Sequence, residues 1–191
     1  MSLLFLNLFW IATNILLAVL AVDFGWLAWK IKQTQLKPAL WFLWLLFVPN
    51  TMYMVTDLIH FQKQFNKVNA SATDIAILIL QYSILLLATL ITFLLAMHPF
   101  EKTLIKKLKH PLYVSFAIFV VNFIIAFGIV IGRVQRTNSW EVFTNIGKVI
   151  QDSNNVFTSQ ELMTLVIFFG VLNNCVYFFF RKKVYLYEIA K

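Results

Sequence analysis

Apolar residues run in five long stretches along the chain, separated by short polar connections. The stretches cover about residues 3–29, 38–61, 74–97, 112–132 and 161–180. A hydrocarbon core of roughly 30 Å is crossed by about 20 helical residues, so each stretch can span it. Backbone groups in lipid must be satisfied within the segment, and runs of this length do that as helices rather than as barrel strands. The pattern therefore predicts an all-α integral membrane protein, a single transmembrane domain over 1–191 with about five transmembrane helices. Between the fourth and fifth stretches the pattern changes. Trp140, Phe143, Ile146 and Ile150 recur at helical spacing, while Glu141, Thr144, Asn145, Lys148, Gln151 and Asp152 fall elsewhere. This connection is too long to be structureless in so small a protein. It predicts an amphipathic helix over about 139–151 in the outer interface, with Trp140 at the headgroup level. Asn138 followed by Glu141 resembles a capping box and marks its start.

Composition agrees: 61% of the 191 residues are hydrophobic and 13% charged, an excess of apolar surface that a soluble fold of this length could not bury. The net charge of +8 lies mostly in short connections, where it sets topology rather than indicating nucleic acid. Lys30, Lys32 and Lys37 fill the first connection and Lys102, Lys106, Lys107 and Lys109 the third. Arg181, Lys182, Lys183 and Lys191 fill the tail. The other side holds only Lys63, Lys67, Arg133, Arg136 and Lys148, partly offset by Glu141, Asp152 and Glu161. These basic sides coincide when the N-terminus is outside and the C-terminus cytoplasmic, in a multipass protein of the cell membrane. The first stretch has no basic start and runs on to Trp29, so it reads as a retained span rather than a signal peptide. Cys175 is the one cysteine, which rules out a disulfide framework and reads as a small packing residue. No internal repeat, nucleotide-binding loop or nucleic-acid motif is visible, and no cofactor is expected.

Two polar stretches interrupt this apolar background. In the second helix, Asn50, Tyr53, Asp57 and His60 fall within an arc of roughly 80° on one face, in the outer half by the topology above. Polar side chains in a span face protein or water rather than lipid. Pro49 removes a backbone hydrogen bond and predicts a kink beside the stripe. The second stretch, Gly132 to Glu141, begins where the fourth helix leaves the membrane on the same side. Its arginines, Arg133 and Arg136, suit a carboxylate or phosphate near the start of the interfacial helix.

Several chemistries fit. Asp57 could orient His60 as a general base, with Arg133 and Arg136 holding a phosphate or stabilising negative charge. Asp57 could equally pair with Arg133 or Arg136 and tie the second helix to the fourth. Ser139 reads as a nucleophile or, more simply, a helix cap. Asp57, His60 and Glu141 are a weak metal set, and no metal site is assigned. Asn7, Asn14, Gln81, Asn122, Asn173 and Asn174 read as interhelical hydrogen-bonding residues. Asp23 reads as a partner for a loop lysine, and His98 and His110 as surface residues flanking a lysine-rich segment that contacts anionic lipid.

The two stretches carry a resemblance. Pro49-Asn50-x-x-Tyr53-x-x-Thr56-Asp57-Leu58-x-His60 and Gly132-Arg133-x-x-Arg136-x-Asn138-Ser139-Trp140-Glu141 resemble, in order, two signatures of the bacterial multipass family known as domain of unknown function 1361. The family pattern often has Ala-Pro before the tyrosine and Asp after the tryptophan. Here Thr51-Met52 and Glu141 stand there, keeping the acid but changing its reach. The resemblance implies the multipass fold and a site at these positions, Thr56 included, but it implies no activity, substrate or cofactor. Three functional classes remain open. One is an enzyme acting on a phosphate-bearing lipid or lipid-linked substrate at the outer face. The others are a non-catalytic accessory subunit that binds lipid, a protein partner or a second copy, and a transporter component.

Overall fold

Among the described residues, five helical stretches are long and apolar enough to cross a membrane: Phe9–Lys30, Lys37–Phe65, Ala72–Leu108, Pro111–Gln135 and Gln160–Arg181. The computed structural model describes residues 3–65, 72–108 and 110–189, with side chains for 9–58, 60–65, 72–108 and 110–181. The side chains of Asn7, Lys67, Lys109, Lys182, Lys183 and Lys191 lie outside this description. In order, the elements are α1 (Leu3–Lys30), α2 (Lys37–Phe47), α3 (Pro49–Thr56), α4 (Leu58–Phe65), α5 (Ala72–Leu108) and α6 (Pro111–Val130). A π-helical turn (Ile131–Gln135) follows, then α7 (Glu141–Thr144), α8 (Ile146–Thr158) and α9 (Gln160–Ile189). Among the described residues there is no strand.

Two helix pairs build the bundle. α1 packs on α5 and α2, α6 packs on α9, and α3 wedges between α1, α5 and α6. Phe9, Phe116 and Phe179 are among many large apolar side chains left exposed, as expected where lipid is the solvent. The α6–α9 seam uses a small residue and a polar clasp. A Cβ at Gly170 would sit 2.3 Å from Phe123, and Asn122 donates to Asn174 at 2.9 Å.

The helix α5 departs most from expectation. Instead of ending near Met97, it continues through Pro99 for 37 residues. That is about 55 Å, well beyond a bilayer core. A proline leaves the carbonyl four residues earlier without its donor. Here the Trp26 indole donates to the Leu95 carbonyl at 3.2 Å, and Trp44 donates to the Ala96 carbonyl at 2.9 Å. His98 is therefore not a surface loop residue; it is 2% exposed, inside the packed helix and 5.9 Å ring to ring from Trp26. Glu101 is likewise buried, accepting from Tyr177 at 2.6 Å and pairing with Arg181 at 3.5 Å. Cys175 corrects the opposite way and is exposed. Asn173, Asn174 and Tyr177 take the inward face of α9, and a 100° step per residue turns Cys175 outward. Asp23 is exposed and pairs with no lysine among the described residues. His110 is exposed, as expected, and its Nδ1 accepts from the Leu112 N–H to cap α6.

Candidate functional site

The second span is broken twice, and its polar residues answer the carbonyls those breaks release. After Pro49, Thr51 N–H bonds back only three residues, to Val48. The Phe47 carbonyl is thereby freed and is taken by the Asn50 side chain at 3.0 Å. The Thr51 hydroxyl donates to Val48 and the Thr56 hydroxyl to Tyr53. At Asp57 the backbone tightens again, with Asp57 N–H to Met54 and His60 N–H to Asp57. The Thr56 carbonyl loses its helical donor and accepts from Arg133 at 3.3 Å. Unsatisfied backbone at membrane depth costs several kcal/mol per group, so these residue types follow from the breaks. Gly128 permits the first break to pack: a Cβ there would lie 2.6 Å from the Pro49 ring.

Arg133 binds more than that carbonyl. It pairs with Asp57 Oδ1 at 3.1 Å and lies 3.2 Å from His60 Nε2. The second carboxylate oxygen, Oδ2, accepts from Asn14 at 3.2 Å. A guanidinium only donates, so His60 Nε2 is the accepting nitrogen and the ring hydrogen sits on Nδ1. The expected side-chain hydrogen bond between Asp57 and His60 is not present, because Arg133 spans the two. Arg133 also lies over the Tyr53 ring, 5.8 Å from its centroid. The tie between second and fourth helices is therefore made by Arg133. Arg136 takes no part in it.

α6 runs on into the π turn at 131–135, which carries Arg133. Arg136 closes the turn in the left-handed region at φ 56°, unusual for a residue with a side chain. Its side chain is exposed, so the two arginines do not converge. Thr137 is buried and donates to Asp152 on α8. Glu141 accepts from Asn138 N–H at 2.7 Å, which is one half of the expected capping box, and from Lys148 at 2.9 Å. Those hydrogen bonds, the Lys148 one first, hold the Glu141 carboxyl below the usual glutamate range. Ser139 does not cap α7; its Oγ accepts from Asn50 at 3.1 Å. Among the described residues no three His, Cys, Asp or Glu side chains gather.

The single interfacial helix expected over 139–151 is also corrected. It is a four-residue turn, α7, and then α8, which runs on to Thr158. Asn145 causes the split, because its side chain caps α8 by accepting from Lys148 N–H at 3.2 Å. Asp152 and Val156 face the protein, while Ile146, Ile150 and Phe157 are exposed. An amphipathic helix that packs an acid inward and shows isoleucine and phenylalanine outward suits a lipid interface.

Between these elements lies a cavity of about 290 Å³. Asn14, Asn50, Tyr53, Asn138 and Ser139 supply its polar wall, and Trp140 borders it. Leu17, Leu45, Ile124 and Phe127 supply an apolar one. Ile124 lies two turns before Ile131, roughly 10 Å along α6. The sequence-predicted residues thus separate into two groups. Asn50, Tyr53, Asn138, Ser139 and Trp140 line the cavity, whereas Asp57, His60, Arg133, Arg136 and Glu141 do not. Asn14 connects the groups and was legible only as one more polar residue in an apolar span.

The profile of the family described as protein of unknown function (DUF1361) matches residues 13–176. The chain belongs to the DUF1361 family. Comparison with curated proteins and with solved structures gives no match. Membership agrees with the two signatures, both inside the matched region, and brings no activity to this DUF1361 protein.

Proposed function

We propose that this protein binds an amphipathic membrane ligand, a lipid or lipid-linked molecule, in the cavity between α1, α2–α3, α6 and the 137–142 turn. The observation that carries the reading is the cavity's two-ended lining. Uncharged hydrogen-bonding groups of Asn50, Tyr53, Asn138 and Ser139 suit a polar head, and Leu17, Leu45, Ile124 and Phe127 suit a chain. At about 290 Å³ it has room for part of such a ligand. Arg136, next in sequence to lining residues and exposed, would meet a phosphate on the ligand.

Binding is favoured over catalysis because the expected acid–base pair is already engaged. Both Asp57 oxygens and His60 Nε2 have protein partners, and neither residue lines the cavity. Arg133 acts as a positioning residue, holding Tyr53 and α3 against α6. By the charge bias of the connections, the site opens toward the outer leaflet.

Native mass spectrometry of the detergent-purified protein tests this reading. The wild type is expected to carry a lipid that Ser139→Phe, filling the cavity, loses. Arg136→Gly should weaken capture of a phosphate-bearing lipid while keeping the fold, since glycine adopts φ 56° without strain. Equal lipid retention by wild type and Ser139→Phe would overturn the assignment.

A further inference from the structure

A second and larger cavity, about 570 Å³, lies at the opposite, lysine-rich end of the bundle between the ends of α1, α2 and α5. It exists because α5 does not stop at the expected membrane boundary but continues as helix to Leu108. On that extension Thr103, Lys106 and Lys107 share an arc of roughly 100° and all line the cavity. Glu101 falls on the opposite side of α5, paired with Arg181 and Tyr177, so it does not neutralise them. Lys37 completes the basic wall from the first turn of α2. Among the described residues Lys37, Lys106 and Lys107 make no ion pair.

Two further observations point to a guest with several acceptor oxygens. The α2 N-terminus has no side-chain cap and no acid in its first turn, so its N–H groups and dipole favour an anion. The Trp29 ring lies on the cavity wall beneath Lys102 and Lys106, at 5.1 and 5.4 Å from its centroid. Its indole N–H is buried without an acceptor among the described residues. Buried donors in native structures almost always have partners, and this one belongs to a residue of the cavity wall.

We propose that this cavity is a phosphate-binding site, for the phosphate of an anionic lipid headgroup or of a soluble phosphate ester. Lys37, Lys106 and Lys107 supply the charge, and the α2 N-terminus and Trp29 supply directed donors. Trp41, also on the wall, gives the apolar border that a headgroup's glycerol region would meet. The site is independent of the cavity at the other end and does not rest on its reading.

The test is native mass spectrometry of the full chain in detergent, titrated with phosphatidylglycerol and with phosphatidylcholine of matched chains. The wild type is expected to bind phosphatidylglycerol at least tenfold more tightly. Each lysine near an anionic surface contributes roughly fivefold, so Lys37→Gln/Lys106→Gln/Lys107→Gln should erase that preference. Lys37→Gln alone should reduce it severalfold if the triple variant does not fold. Lys30→Gln/Lys32→Gln/Lys63→Gln removes as many charges away from the cavity and should keep the preference. Displacement of phosphatidylglycerol by millimolar glycerol 3-phosphate would assign the site to soluble phosphate esters; persistence would assign it to the lipid. Equal losses in the two triple variants, or no preference in the wild type, would overturn the proposal. Repeating the titrations in a Ser139→Phe background, in which the first cavity is filled, reads this site alone and separates it from the first.

Discussion

Arg133 meets three acceptors from one position: the Asp57 carboxylate, the Thr56 carbonyl and His60 Nε2. Truncating it strands a carboxylate that is 3% exposed. Breaking a buried ion pair from one side costs about 3–5 kcal/mol, and partial exposure of the arginine places this case near the lower figure. Arg133→Ala should therefore lower the melting temperature in detergent markedly, and Asp57→Asn/Arg133→Gln should recover most of the loss. A melting temperature unchanged in Arg133→Ala would contradict the clasp. Glu141 gives a pH prediction of opposite character. Its carboxyl is held below the ordinary glutamate range, so the stabilisation it gives is complete above the unfolded value of about 4.3. It is lost only as pH falls through the lower folded value. The Asn138 amide should stay protected from hydrogen exchange through the ordinary glutamate range and lose that protection only below it; Glu141→Gln should remove the acid-dependent step. At this scale the sequence displayed the right residue types, yet it could not say that Arg133 rather than Arg136 reaches Asp57. That choice depends on the end of the π turn, where Arg136 takes the left-handed conformation and its side chain is exposed.

Element boundaries moved where a side chain, not hydropathy, governs the backbone. Pro99 should have ended α5, but Trp26 and Trp44 supply donors to the carbonyls around it, and both come from other helices. Asp57 breaks the second span within an apolar run, where Arg133 satisfies the carbonyl that the break exposes. Asn145 divides the interfacial segment by capping its second part. For α8 the periodicity of apolar positions was readable, and the structure turns that face away from the protein. With Cys175→Ala as background, a spin label at Phe157→Cys should be relaxed chiefly by oxygen, as in lipid. A label at Asn155→Cys, half a turn away, should be relaxed by a water-soluble nickel chelate. Equal accessibility to both agents would remove α8 from the interface.

Across the whole molecule the polar residues gather at the two ends of an apolar bundle, with the Asn122–Asn174 clasp between them. The positive-charge bias predicts that the lysine-rich end faces the cytoplasm. In the same Cys175→Ala background, a membrane-impermeant maleimide added to intact cells should label Thr144→Cys and leave Gln33→Cys untouched until lysis. The reverse pattern would invert the topology and exchange the leaflets facing the two cavities. The sequence by itself determined the class, the five spans, the amphipathic segment and the two family signatures, because hydropathy over about 20 residues is a local sum that the bilayer reads directly. Tertiary structure alone decided which acceptors Arg133 meets, where α5 ends, and that the site residues divide between a clasp and a cavity wall. Those outcomes depend on donors and acceptors far apart in the chain, whose pairing exists only once the helices have packed.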